Sequence, residues 1–163
     1  MKKLILMFLV TSFIGCRNNK PSFRTGLEGK LPPKFNIQLI DSSFLNTSAI
    51  PLGQPFVFFY FSPRCPYCRD QMEELIEEIS SLKDIRFYAL TTWPFAEIKN
   101  FYKHYQLQKF SNIVVGLDYE NFFVNNFKAP GVPFIAIYGK DGRLKEAMVG
   151  KTISKQIIEI AGS

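Results

Sequence analysis

Residues 56–61, FVFFYF, are a run of apolar, β-prone residues with no polar position among them. A strand with one wet face alternates; one without alternation is covered on both faces, as in the middle of a parallel sheet. Residues 62–68, SPRCPYC, follow at once. Beyond them Met72, Leu75, Ile76, Ile79 and Leu82 recur at three- and four-residue spacing, which predicts a helix over 66–82. Asp70, Glu73, Glu74, Glu77 and Glu78 fall mostly on its other side and read as a solvated face. The pair Cys65 and Cys68 therefore sits where a buried strand turns into a helix.

The flanking chain repeats the theme. KFNIQLI alternates as a half-buried strand, and the loop DSSFLNTSAIPLGQP after it has room for a short strand. IRFYALTT is a strand, and PFAEIKNFYKHYQL is a helix with Pro94 at its start. NIVVGLD is a strand and YENFFVNNF a short helix. Residues 128–150 read as a hairpin around Lys140-Asp141-Gly142, and Thr152 or Ser154 opens a closing helix. The order β, β, α, β, α, β, α, β, β, α predicts an α/β domain. Its early part pairs in parallel through crossovers, and its final hairpin makes the sheet mixed.

The N-terminus reads as an address. MKKLILMFLVTSFIGC has two lysines, an apolar run from Leu4 to Ile14, then Gly15 and Cys16. That run falls short of the roughly 20 residues a spanning helix needs and fits a secretory leader. FIGC resembles a bacterial lipobox, with Phe13 where leucine is usual. The expected organisation is a signal peptide over 1–15, a lipid anchor at Cys16 with a flexible tether over 16–33, and a globular domain over 34–163. Without Lys2 and Lys3 the charge is 18 − 14 = +4, with basic residues scattered rather than clustered. No nucleic-acid footprint follows from that.

Cys-Pro-Tyr-Cys at a helix start has a chemical consequence. Unpaired amides and the positive end of the helix dipole stabilise an anion there. In such motifs a thiol becomes a better thiolate, the nucleophilic form. Cys65 is the expected attacking thiolate and Cys68 the resolving thiol. Pro66 fixes φ where its missing amide costs little, Tyr67 fills the other intervening position, and Arg64 and Arg69 either add positive charge that favours the thiolate or are solvated surface charge. Other chemistries fit less well. A structural zinc site wants four ligands, and only Cys16 and His104 remain as soft candidates. Copper-delivery proteins space their cysteines three apart and add a histidine. A peroxiredoxin-like peroxide reductase shares Ser62-Pro63-Arg64-Cys65 but wants a proline where Phe58 stands. A non-catalytic membrane-anchored adaptor of the same fold is the third reading.

A second element, Gly131-Val132-Pro133-Phe134, stands just before a strand. With it, residues 34–163 resemble the thioredoxin-like superfamily, in particular the membrane-anchored extracytoplasmic thiol–disulfide oxidoreductases of bacteria. The resemblance implies a central mixed sheet flanked by helices, with an extra N-terminal strand. It implies a cis Val132–Pro133 bond against the cysteines, with substrate bound along Val132, Pro133, Pro66 and Tyr67. It implies a periplasm-facing monomeric enzyme that exchanges disulfides with protein thiols and an upstream redox partner, acting as a reductase without metal or cofactor beyond the Cys65–Cys68 pair. Two positions depart from that pattern. Phe59 stands where many thioredoxins bury an aspartate, and Gln71 where many anchored reductases bury a glutamate. Trp93, after IRFYALTT, falls at the same sheet edge as Cys65 if the two strands run parallel.

Overall fold

Strand β3 (Phe56–Tyr60) has all five side chains buried, as its unbroken apolar run predicts. The computed structural model describes residues 22–163; the expected leader over 1–15 and the anchor Cys16 lie outside the described residues. Around β3 the chain lays down β1 (Asn36–Leu39), β2 (Phe44–Asn46), α1 (Pro66–Glu77), β4 (Arg86–Thr91), α2 (Phe95–His104), β5 (Ile113–Leu117), α3 (Phe122–Phe127), β6 (Phe134–Tyr138), β7 (Leu144–Val149) and α4 (Ser154–Ala161).

The sheet runs β2-β1-β5-β4-β3-β6-β7. Strands β3, β4 and β5 are parallel, and β6, β7, β1 and β2 join antiparallel. The sheet is therefore mixed, and the short strand allowed for in the early loop is β2.

Period-two geometry splits β3 between two cores. Val57 and Phe59 enter one with Cys68, Met72, Leu75, Ile98 and Phe101. Phe56, Phe58 and Tyr60 enter the other with Phe123, Phe127, Phe134 and Tyr138. The second is an aromatic stack: Phe56 lies parallel to Tyr138 with centroids 4.5 Å apart, and Tyr60 parallel to Phe123 at 5.0 Å. Each fully buried phenylalanine contributes about 1.5–3 kcal/mol by leaving water.

Helix α1 stops at Glu77, short of the expected Leu82. The amides of Ile79 and Ser81 reach back only three residues, to Ile76 and Glu78, which is tight-turn bonding. Ser80 and Ser81 are poor helix formers because their hydroxyls compete for nearby backbone groups. The Ser81 hydroxyl donates to the Glu78 side-chain carboxylate at 3.4 Å. Leu82 still reaches the core.

Of the expected flexible tether over 16–33, the part that the structure describes, 22–33, is the larger departure. Residues 22–33 are folded onto the domain as a strap along the outer edge of β7. The Phe23 amide donates to the Ala147 carbonyl at 2.6 Å, Gly29 to Leu144 at 2.8 Å, and Leu144 back to Lys30 at 2.9 Å. Phe23 sets its ring edge-on against Phe134. Between these points the Glu28 carboxylate accepts from the Thr25 amide, the Thr25 hydroxyl and the Gly26 amide. Gly29, at φ +75°, makes the turn that returns the chain to the edge. The strap holds mainly through its backbone, so a composition rich in Lys, Gly and Pro hid it. Trypsin should accordingly spare the Arg24 and Lys30 peptide bonds in the folded protein while cutting them after denaturation. Cleavage at either bond under native conditions would show that the strap is not docked.

Candidate functional site

Tyr60 pairs with Leu90 across the parallel ladder and with Phe134 across the antiparallel one, and Phe134 pairs with Val149. The ends of β3, β4 and β7 and the start of β6 therefore share one edge of the sheet. That edge carries Cys65, Trp93, Pro133 and Gly150.

Cys65 is the residue immediately before α1, with extended backbone at φ −76° and ψ 121°, and Pro66 opens the helix. Proline costs nothing there, since the first-turn amide has no partner inside the helix. The Cys65 carbonyl accepts from the amides of Cys68 and Arg69, both at 3.1 Å. Cys65 is half-buried, Pro66 and Tyr67 are exposed, and Cys68 is fully buried. The thiol of Cys65 points at the Val132 carbonyl, 3.8 Å away, and the Val132–Pro133 peptide is cis. Pro133 is itself buried, and its carbonyl accepts from the Gly150 amide at 2.8 Å. The structure thus brings Cys65, Cys68, Pro66, Tyr67, Val132 and Pro133 to one end of the sheet.

Beside them runs a groove of about 490 Å³ lined by Tyr67, Asp70, Val132, Pro133, Val149 and Lys151. Its far wall, Val149 to Lys151, has no signature in the sequence. Those residues come beside Pro133 only because β7 ends there.

Burial pushes the Cys68 thiol up to about 12. The Ser62 amide, donating to its sulfur at 3.5 Å, pulls the other way, while the bond with Cys65 and that sulfur's charge push further up. Among the described residues no carboxylate relieves this. Phe59 is fully buried, its ring against Phe61, in the same core as Cys68. Gln71 is fully buried and uses both ends of its amide on one residue. Its Oε1 accepts from the Thr152 amide at 2.6 Å, and its Nε2 donates to the Thr152 carbonyl at 3.0 Å. Glu73 accepts from the Tyr105 hydroxyl, and Glu74 accepts from the Ser154 amide and lies 3.7 Å from the Lys151 ammonium. Glu73 and Glu74 are thus turned to partners outside the cysteine pair. Gln71 pins the loop between β7 and α4 to α1, and Glu74 covers the first amide of α4.

The arginines have local work. Arg64 donates to Glu97 at 2.6 Å and lies 5.0 Å over the Trp93 ring, so Trp93 does border the site. Arg69 donates to the Pro63 carbonyl and pins the loop before Cys65. His104 stands exposed beside Tyr105 near the end of α2.

No protein-family model and no curated protein matches the chain. Solved structures do. DsbF of MTB, in mixed oxidised and reduced forms, superposes with a TM-score of 0.68 at 17% identity, covering 80% of this chain and 99% of that one. A secreted Mycobacterium tuberculosis disulfide oxidoreductase homologous to E. coli DsbE gives 0.62 at 19%, covering 78% and 92%. StoA from Bacillus subtilis gives 0.62 at 13%, covering 81% and 98%. The fold is thioredoxin-like. The strap and the Gln71–Thr152 clasp are read from this chain's own contacts.

Two outcomes follow. With Cys65 replaced by serine, burial still holds the Cys68 proton, so alkylation by iodoacetamide should be negligible at pH 7 and rise about tenfold per pH unit up to pH 10. Rapid alkylation of Cys68 at pH 7 would contradict its burial. Replacing Gln71 by glutamate keeps the bond from the Thr152 amide but sets an ionised oxygen against the Thr152 carbonyl. The carboxyl can keep both bonds only when protonated, so its folded pKa rises above the unfolded value. The stability of Gln71→Glu is then retained below about pH 4.3 and lost as pH rises through the folded pKa. At pH 7 the variant should be about 1–3 kcal/mol less stable than the parent. Urea melts at pH 4 and pH 7 measure the difference.

Proposed function

We propose that the chain is a thiol–disulfide oxidoreductase of the bacterial cell envelope, held to the membrane by lipid on Cys16 and working as a reductase of protein disulfides. The observation that carries the activity is a half-exposed Cys65 at the start of α1, facing a cis Val132–Pro133 step, with Cys68 buried behind it. The location rests on the leader-like N-terminus ending in Gly15-Cys16, and agrees with the likeness to a secreted disulfide oxidoreductase. The head acts as a monomer and needs no cofactor beyond its two thiols.

The chemistry balances on those two sulfurs. The Cys65 thiolate attacks one sulfur of a substrate disulfide, forming a mixed disulfide and releasing the other sulfur as a thiolate. Cys68 then gives up its proton and attacks the Cys65 sulfur, forming the Cys65–Cys68 disulfide and releasing the second substrate thiol. Two electrons pass to the substrate, and an upstream dithiol must return them. An extended substrate segment fits along Val132, with Tyr67 and Val149 as apolar walls. Since Phe59 and Gln71 supply no base, the proton of Cys68 goes to water or to the departing substrate thiolate, and resolution is the slow step.

Cys68→Ser should therefore trap substrate proteins as mixed disulfides that reducing agent releases, and Cys65→Ser should trap none. Equilibration with glutathione should give a Cys65–Cys68 potential more negative than about −200 mV; a value near about −120 mV would make the protein an oxidant instead.

A further inference from the structure

The strap decides where the N-terminal chain leaves the head. It runs antiparallel to β7, with Lys30 beside Leu144 and Phe23 beside Ala147. Continuing toward the N-terminus, it heads for Val149 and Gly150, the end of β7 that lines the groove. Phe23 rests on Phe134, the residue after the cis proline. The described chain thus begins, at Ser22, near the cysteine end of the sheet.

From Ser22 back to Cys16 there are six residue steps. Fully extended, they reach at most about 20–22 Å. A domain of this size is about 35–40 Å across. The opposite end of the sheet carries the exposed Leu52 and the turn at Gly142. For that end to face the bilayer, the six residues would have to run the full height of the head, which they are too short to do.

We propose that the head stands with its active end against the lipid surface, so that Cys65 works in the layer next to the bilayer. This rests on the lipid anchor at Cys16 proposed above. The exposed side chains at this end of the head suit that position. Tyr67, Ile153 and Val149 are 67%, 48% and 38% exposed. Lys151 lines the groove together with Asp70, its side chain 38% exposed and 3.7 Å from Glu74; Arg64, next to Cys65 in the chain, is paired to Glu97 with its side chain 65% exposed; and Arg17, Lys20 and Arg24 precede or begin the strap. Aromatic and cationic side chains of this kind fit an anionic headgroup layer. Exposed leucines at the far end show that apolar exposure alone does not choose the face; the exit of the strap does. The disulfides met there belong to segments close to the membrane, not to proteins free in the surrounding compartment.

The test uses the lipidated full chain in vesicles of phosphatidylcholine and phosphatidylglycerol carrying a trace of dansyl-phosphatidylethanolamine. Trp93, the one tryptophan of the sequence, reports the active end by energy transfer to the dansyl lipid. A Trp93→Phe, Leu52→Trp double variant reports the opposite end. Transfer should be at least about twofold stronger from Trp93, since the two positions lie at opposite ends of the head. Inserting about 20 Gly/Ser residues between Lys20 and Pro21 leaves the head intact and should lower transfer from Trp93. Equal or reversed transfer from the two reporters, or no change on lengthening, overturns the orientation while leaving anchor and activity standing. Failure of the protein to float with the vesicles removes the anchor and this inference with it. None of these readouts depends on disulfide exchange.

Discussion

Strand β3 is paired on both edges and covered on both faces, so the chain leaving Tyr60 has one way out. Its neighbours β4 and β6 hold it in register, and its side chains are shared between an aromatic core on one side and the core beneath α1 on the other. Two buried layers fix the strand's rotation as well as its position, because a one-residue slip would exchange the contents of the two cores. Cys65 inherits that precision. Five residues after a strand that cannot turn, it meets the loop before β6, which is tied to the same strand through the Tyr60–Phe134 pairing.

The same packing sets the chemistry of the second thiol. An apolar core under α1 secures the helix and leaves Cys68 without a base. Phe59 strengthens that core where a carboxylate would weaken it, and Gln71 spends its amide on holding the loop after β7. Stability and proton transfer draw on the same few positions here, and the residues present favour stability. The penalty falls on deprotonation of Cys68, which burial resists.

Much of this was legible in the sequence because the signals were local. The unbroken run over 56–61, the helix start at Pro66 and the turn at Asp141-Gly142 each follow from neighbouring residues, and the succession of strands and helices along the chain followed from their periodicities. The end of α1 was misplaced because Ile79 and Leu82 continue the helical stripe past Glu77, where the backbone beside the two serines has tightened into three-residue turns. The wall of the groove at Val149 to Lys151, the Gln71–Thr152 clasp and the strap were not legible. Each joins residues far apart in the chain, and two of the three are made with backbone atoms, which leave no trace in side-chain pattern. The pairing of Arg64 with Glu97 was likewise not legible, since it joins α2 to the loop before α1.

The strap has a bearing on how the protein is made. Phe23 and Ala147 are 147 − 23 = 124 positions apart, so their contact cannot form until nearly the whole chain has been delivered. Until then the outer edge of the sheet is either missing or bare, and a bare edge invites pairing with another chain. At the other margin β2 is only three residues long and offers little to pair with. An N-terminal segment held back until the last strand arrives therefore works as a closing seam: the first residues of the head to emerge are among the last to find their place, and their docking ends the interval in which the protein can join to a copy of itself.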